Sequence, residues 1–135
     1  MAGGWSISPV VFADAVDEDV TELQRTVAAD ALGAIIRGSP VDEGAYRENH
    51  RVTIDSEDFG FSLGGDGSSA PAGSTAGVNA YSAGMKIIAK APKFSVIRIQ
   101  NNIPYGETLE NGHSMQAADG VYGPAYIGIT EKYGR

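Results

Sequence analysis

The chain has 135 residues and a mass of 14.1 kDa, with 42% hydrophobic and 20% charged residues, so we expect residues 1–135 to form a single domain. Its 17 acidic and 10 basic residues give a formal charge of −7, which argues against a generic nucleic-acid-binding module. Because the chain contains no cysteine, disulfides, thiolate nucleophiles and cysteine-based zinc sites are excluded.

Neither a membrane span nor a leader peptide is predicted. No stretch approaches the roughly 20 apolar residues that are needed to cross a bilayer. The start of the chain, Met1 to Trp5, lacks the basic and apolar regions of a signal peptide. We therefore expect a soluble protein that is made in a cytoplasm and has no membrane partner.

The strongest periodic pattern predicts a long amphipathic helix over roughly residues 14 to 37. Asp14 is a suitable N-cap, and Gly38 followed by Pro40 is a stop signal. We expect the apolar stripe of this helix to lie in the core of its own domain, and packing against a helix of another subunit is the alternative. The stripe consists of Val16, Val20, Leu23, Val27, Ala31 and Ile35.

A strand and a long loop are predicted after this helix. Residues 45 to 55 include Tyr46, Val52 and Ile54 and fit an extended strand of mixed burial. Residues 60–77 contain six glycines, which indicates a flexible loop that contributes little to the core. We expect this loop to become ordered in an assembly.

The second half of the chain predicts shorter elements. A short helix is expected between residues 78 and 91, followed by a buried strand that runs from Phe94 to Ile99. Pro104 favours a two-turn helix over residues 105 to 110, and residues 121 to 135 give no clear assignment. The sequence therefore predicts an α+β fold. In it, a small mixed or antiparallel sheet packs against the long N-terminal helix and one or two short helices.

No motif for catalysis, cofactor binding or metal binding is evident. His50 and His113 lack the spacing of metal ligands, so each is expected to be a surface or interface residue. Residues 65–70 match the dinucleotide fingerprint GxGxxA, but no packed helix follows, and a flexible loop is favoured. Glu107 and Glu110 share a helix face, and solvated acidic surface is favoured over a catalytic or cation-binding pair. We expect no enzyme activity and no cofactor.

Two segments together resemble a known family. The first is Ser39-Pro40-Val41-Asp42-Glu43-Gly44-Ala45-Tyr46-Arg47, which follows the long helix. The second, which follows an apolar strand, is Asn101-Asn102-Ile103-Pro104-Tyr105-Gly106-Glu107-Thr108-Leu109-Glu110-Asn111-Gly112-His113-Ser114-Met115-Gln116-Ala117. In order and separation they resemble segments of the neck and tail-completion proteins of long-tailed bacteriophages, which include minor tail protein Z-like and tail-terminator-like chains. Glu43 and Gly106 depart from the Thr and Ala that are usual in that family.

The resemblance implies a structural virion protein that forms a ring at the phage neck, completes or terminates the tail tube and joins it to the head. It implies association with copies of itself, expected as a hexamer, and with tail-tube and head-connector proteins. DNA would pass through the ring without specific binding, helped by the negative charge. The implied interface residues are Pro40, Asp42, Gly44, Arg47, Tyr105, Glu107, Glu110, Gly112, His113 and Ser114. A small hydrolase that uses paired carboxylates and a cytoplasmic adaptor protein are the alternatives.

Overall fold

The computed structural model describes residues 9–40, 45–61, 77–103, 110–111 and 119–134, and the side chains of residues 9–15 and 45 are not described. Residues 62–76 of the predicted loop therefore lie outside the described residues, as does most of the predicted helix at residues 105 to 110. The elements in chain order are helix α1 (Pro9–Gly38), helix α2 (Ala45–Glu48), strand β1 (His50–Ile54), helix α3 (Val78–Ile88), strand β2 (Ile97–Asn101) and helix α4 (Tyr122–Tyr133).

The predicted α+β class is confirmed. β1 and β2 form a two-stranded antiparallel sheet in which Val52 lies opposite Ile99 and Ile54 lies opposite Ile97. Helix α3 packs on β1, and α1 packs against both α3 and α4. A two-stranded sheet is marginally stable alone, so its stability depends on the helices that pack against it.

Helix α1 begins five residues before the predicted start. Pro9 is its first residue, and proline suits this position because its fixed φ is helical and its missing N–H has no partner there. Asp14 therefore lies inside the helix, and its predicted role as N-cap is wrong. The end at Gly38 confirms the predicted stop signal.

The carbonyl groups at the end of α1 are bonded by side chains that follow it. The Ser39 hydroxyl donates to Ile35 O at 2.7 Å, Arg47 Nε donates to Ile36 O at 2.6 Å, and Arg47 Nη2 donates to Arg37 O at 3.1 Å. These carbonyls have no partner within the helix, and a cation beside them is also favoured by the helix dipole. Arg47 thus fixes α2 to the end of α1.

Only the second half of the α1 stripe is buried. Leu32, Ile35 and Ile36 lie in the core, whereas Val16, Val20 and Leu23 are 41%, 53% and 55% exposed. Among the described residues, the sheet and the other helices pack around the second half of α1. The prediction that the whole stripe lies in the core is therefore wrong for its first half.

The buried apolar residues in the described part of the chain form two clusters that share the second half of α1. One cluster joins Leu32 of α1 to Val52 of β1 and Ile88 of α3. The other joins Ile35 of α1 to Tyr46 of α2, and it also contains Val121 and Ala125 from the start of α4. The two clusters bury the two faces of α1 that α3 and α4 cover.

Several predicted boundaries differ from the structure. The helix predicted between residues 78 and 91 is confirmed as α3, but the strand predicted over residues 45 to 55 is a turn of helix, α2, followed by the shorter β1. β2 begins at Ile97, and Phe94 and Val96 are 76% and 54% exposed. The prediction of a buried strand from Phe94 is therefore wrong for residues 94 to 96, and residues 97 to 101 form a strand that is half-buried. Residues 122 to 133, which gave no assignment, form α4.

Gly84 of α3 allows close contact between three elements. A Cβ at this position would lie 2.5 Å from Leu32 Cδ2 of α1 and 2.9 Å from Val52 Cγ2 of β1.

We predict that Gly84→Ala lowers the free energy of unfolding by about 1–3 kcal/mol through overpacking, measured by urea denaturation. In the control Gly128→Ala, no heavy atom lies within 4 Å of the new Cβ, so a gain of about 0.5–1 kcal/mol is expected. Equal stability of Gly84→Ala and the unaltered chain would contradict the packing.

Candidate functional site

The exposed first half of α1 borders an open apolar groove. The groove has a volume of about 460 Å³ and is lined mainly by Val20, Leu23, Val27 and Ala31 of α1 and by Ile97 and Ile99 of β2. We call these six residues the α1 groove. Apolar surface that lies open beside a helix is typical of a contact site for another protein element.

A tight turn lies at the edge of the α1 groove. Residues 92–95 form this turn, in which the Ser95 amide and hydroxyl both donate to Pro92 O, at 3.3 and 2.6 Å. Phe94 has a φ of 61°, in the left-handed region, which costs a residue with a Cβ on the order of 1–3 kcal/mol. Its ring is nevertheless turned to solvent. We call residues 92–95 the Phe94 turn.

Three side chains of α1 hold the Phe94 turn in place. Gln24 Nε2 donates to Ser95 O at 2.6 Å. Arg25 donates to Ala91 O from both Nε and Nη2, at 3.0 and 2.6 Å. Asp17 lies 3.6 Å from Lys93 Nζ. Because Gln24, which bonds Ser95, also borders the α1 groove, the turn lies next to the groove.

A second polar cluster lies inside the molecule, around His50. His50 is 3% exposed, and its Nε2 and Nδ1 lie 2.7 Å from Ser39 Oγ and 2.8 Å from the Tyr122 hydroxyl. Ile35 O can only accept, so the Ser39 hydroxyl donates to it and accepts from His50 Nε2–H. Nδ1 is then the acceptor for the Tyr122 hydroxyl. The prediction of a surface or interface role for His50 is wrong.

This arrangement does not resemble an activated serine. A catalytic histidine takes the proton from the serine hydroxyl, whereas here the imidazole donates and the hydroxyl is already used by a carbonyl group. Burial, with a smaller effect of Arg47, lowers the pKa of His50 to about 3, and burial raises the pKa of Tyr122. Both groups are therefore neutral at physiological pH, and the cluster joins α1, β1 and α4.

Glu110 binds the start of α4. Its Oε1 accepts from the amides of Val121 and Tyr122 at 3.0 and 2.8 Å, and its Oε2 accepts from the Gly123 amide at 2.8 Å. Partial burial opposes the charge, but the three amides outweigh it and the pKa of Glu110 is lowered. This carboxylate was predicted to point outward, and it caps a helix instead.

The predicted interface residues fall into two groups. Pro40 is buried behind the end of α1, and Arg47 and Glu110 bind helix ends. Their interface roles stay predictions. The others lie outside the described residues, namely Asp42, Gly44, Tyr105, Glu107, Gly112, His113 and Ser114.

Sequence reasoning missed the Phe94 turn and the open half of α1. The pattern from Phe94 to Ile99 is that of a strand, and periodicity alone cannot tell which part of a helix stripe is covered. The available signals were Pro92 and Ser95, which favour a turn, and the polar pair Gln24 and Arg25 beside the stripe. These signals indicate a turn without showing that it packs on α1.

Metal and membrane sites find no support in the described part of the chain. Its histidine and carboxylate side chains form no cluster of three that could hold a metal ion. None of its helices combines the length and the apolar character needed to span a bilayer. Comparison with protein-family models, curated proteins and solved structures gives no match.

We predict that the His50 imidazole does not titrate between pH 8 and pH 5. Because its folded pKa of about 3 lies below the ordinary value of 6.5, the unfolded chain takes up the proton first. Stability therefore falls as the pH drops from about 6.5 toward 3, by up to about 1.4 kcal/mol per unit from this group. NMR spectra of the variant His113→Gln isolate the His50 signal, and a midpoint near 6.5 would contradict the buried cluster.

We also predict that Glu110→Ala lowers the free energy of unfolding by about 0.5–2 kcal/mol, because three amides at the start of α4 lose their acceptor. The effect is present above the unfolded pKa of this carboxyl and is lost as the pH falls through its lowered folded pKa. Glu131→Ala is the matched control, since Glu131 is an exposed glutamate of α4. Equal thermal denaturation midpoints for the two variants would refute the cap.

Proposed function

We propose that the chain is a structural protein of the neck of a long-tailed bacteriophage. It forms a ring that completes or terminates the tail tube and joins the tail to the head. It acts by contact with copies of itself and with tail-tube and head-connector proteins, and no covalent bond is made or broken. It is assembled in the host cytoplasm and is present in the virion.

The observation that supports this proposal best is the apolar surface of the α1 groove and the Phe94 turn. Hydrogen bonds from Gln24 and Arg25 of α1 hold the backbone on either side of Phe94, whose φ is left-handed and whose side chain is 76% exposed. An exposed aromatic ring beside an apolar groove is suited to anchor a protein contact. A subunit that functions by assembly needs such a surface.

Two residues of the family-like segments support the proposal in another way. Arg47 binds the carbonyl groups at the end of α1, and Glu110 binds the amides at the start of α4. Each of the two segments therefore supplies one side chain that closes a helix end. We expect the similar segments of the phage neck proteins to close helix ends in the same way.

The described residues favour contact over hydrolysis. Both carboxylate oxygens of Glu110 accept from backbone amides, so this group is a poor candidate for one half of a catalytic pair. Ser39 and His50 are buried, and His50 Nε2–H donates to the Ser39 hydroxyl, so the imidazole is not placed to take the serine proton. The net charge of −7 also suits a ring through which DNA passes without being retained.

We predict that Phe94→Asp abolishes the joining of heads to tails. Heads and tails from particles assembled without this chain are mixed with purified protein, and joined particles are counted in negative-stain micrographs. The unaltered chain restores joining, and Phe94→Asp does not, because a carboxylate replaces the apolar anchor. Phe59→Asp, which changes another exposed phenylalanine outside the α1 groove and the Phe94 turn, is the matched control.

Two results would contradict this proposal. One is that the unaltered chain leaves heads and tails unjoined, and the other is that Phe94→Asp joins them as well as the unaltered chain. Circular dichroism shows that each variant is folded before the assay.

A further inference from the structure

One edge of the two-stranded sheet lies along the α1 groove. The Asp55 amide donates to Val96 O at 2.9 Å, and backbone bonds alternate along a pair of antiparallel strands. In β2 the backbone groups of Ile97, Ile99 and Asn101 therefore point away from β1. They form no hydrogen bond with any residue that the structure describes. Ile97 and Ile99 also line the groove, so one of its walls is a strand edge with unpaired amides and carbonyls.

The helices on the buried face of the sheet form a layer wider than the sheet itself. α3 packs on β1 and on one side of α1, where Leu32 meets Gly84. α4 packs on the other side of α1, where Asp30 bonds Lys132 and Tyr133. At about 100° per residue, Leu32 and Asp30 are roughly 160° apart around α1. Packed helices are about 8–10 Å apart and paired strands about 4.8 Å. Because α3 already lies over β1, the excess width lies beside β2.

The free edge of β1 has different surroundings. The cleft beside it has a volume of about 290 Å³, and its lining includes Glu48, Arg51 and Asp58. Charged side chains beside a strand edge disfavour the addition of a further strand. The lining of the α1 groove is mainly apolar, so the edge of β2 is the better site for a further strand.

We propose that an extended segment of a partner protein enters the α1 groove and adds to β2 as a third strand. Its backbone bonds the unpaired amides and carbonyls of Ile97, Ile99 and Asn101. Since side chains alternate across a strand, apolar side chains at every second position fill the groove. The polar side chains between them lie on the other face of the sheet, beside Arg98 and Gln100. The inference rests on the proposed function in one respect, namely that the groove is a contact surface.

A helix in the groove would satisfy only part of this surface. Its apolar side chains could cover Val20 and Leu23, but all its backbone groups except those at its ends are bonded within the helix. The amides and carbonyls of the β2 edge would then be buried without partners, which opposes binding. An extended segment supplies both the apolar side chains and the backbone partners.

A second copy that pairs through its own β2 is also disfavoured. Opposite residues of antiparallel strands share a face of the sheet, so the helices of both copies would meet on one face before the strands come within about 4.8 Å. A parallel pair related by a two-fold axis would put the helices on opposite faces. It would then turn Arg98 and Gln100 of the second copy into the apolar groove. A single extended segment brings neither conflict.

The probe for this site is the synthetic peptide acetyl-Thr-Val-Thr-Val-Thr-Val-Thr-amide. We expect it to bind and to slow hydrogen exchange of the Ile97, Ile99 and Asn101 amides by about tenfold or more, measured by NMR. The amides of Arg98 and Gln100 already point toward β1 and are expected to change less. This alternation is specific to strand addition, because a helix in the groove would not bond the edge amides.

Two methylated forms of the peptide test the backbone bonds directly. One form is N-methylated at its valines, and the other is N-methylated at its threonines. In a given strand direction only one of these two sets of amides faces β2. One form is therefore expected to lose binding, and the other is expected to keep it.

Variants of the chain test the apolar side of the groove. Val20→Asn with Leu23→Asn is expected to weaken binding of the peptide by about tenfold or more, since both side chains border the groove. Val78→Asn is the matched control, because Val78 is an exposed valine of α3 outside the groove, and it is expected to bind the peptide as the unaltered chain does. Circular dichroism verifies that each variant is folded.

Several outcomes would overturn the inference. They are a peptide that does not bind, edge amides that stay unprotected, methylated forms that bind equally, and an unaltered chain that dimerises through β2. The assay that joins heads to tails separates this failure from failure of the proposed function. If joining proceeds in the presence of saturating peptide, the strand site is wrong and the function stands. If the peptide protects the edge amides and the unaltered chain joins nothing, the strand site stands and the function is wrong.

Discussion

The length of α1 is the constraint on which the rest of the structure depends. Its 30 residues span about 45 Å, and the hydrophobic clusters that contain α1 use only residues from Ala28 onward. The apolar stripe continues toward the start of the helix without cover from those clusters. One element therefore serves two purposes, since its second half organises the core and its first half presents apolar surface to solvent. The Phe94 turn extends that surface because Gln24 and Arg25 fix it to α1.

Polar side chains close the ends of the helices and tie distant segments together. Arg47 and Ser39 bond the last carbonyl groups of α1, and Glu110 bonds the first amides of α4. His50 lies between Ser39 and Tyr122, and its buried bonds join the end of α1 to α4 across β1. A serine, a histidine and a carboxylate are the residue types from which catalytic sites are built, but here all three form these structural hydrogen bonds. The exposed residues of α1 and the Phe94 turn include Val20, Leu23 and Phe94, and apolar surface of this kind is suited to contact with another protein element.

The sequence predicts local elements well, but it does not predict which of their faces are buried against other elements. The 3.6-residue period indicates α1 and α3, and Gly38 with Pro40 marks the end of α1, because these signals are local. The sequence of α4 contains no local signal for the start of a helix. Its first amides are bonded instead by Glu110, which is 12 residues before Tyr122. Phe94 resembles the first residue of a strand, but it lies in a turn that the Ser95–Pro92 bond closes and that Gln24 of α1 bonds at Ser95 O. The burial of His50 likewise depends on partners 11 and 72 residues away. Burial against other elements and hydrogen bonds between distant residues depend on the fold. Hydrophobic periodicity along the sequence does not predict them.

The central claim is that the α1 groove and the Phe94 turn are contact surfaces that become covered on assembly. Hydroxyl-radical footprinting of the free chain and of assembled particles tests it most directly, with oxidation of Leu23 and Phe94 read by mass spectrometry. The account predicts that both side chains are oxidised readily in the free chain and are protected in the particle. Equal oxidation of Leu23 and Phe94 in the two samples, or absence of the chain from the particle, would contradict it.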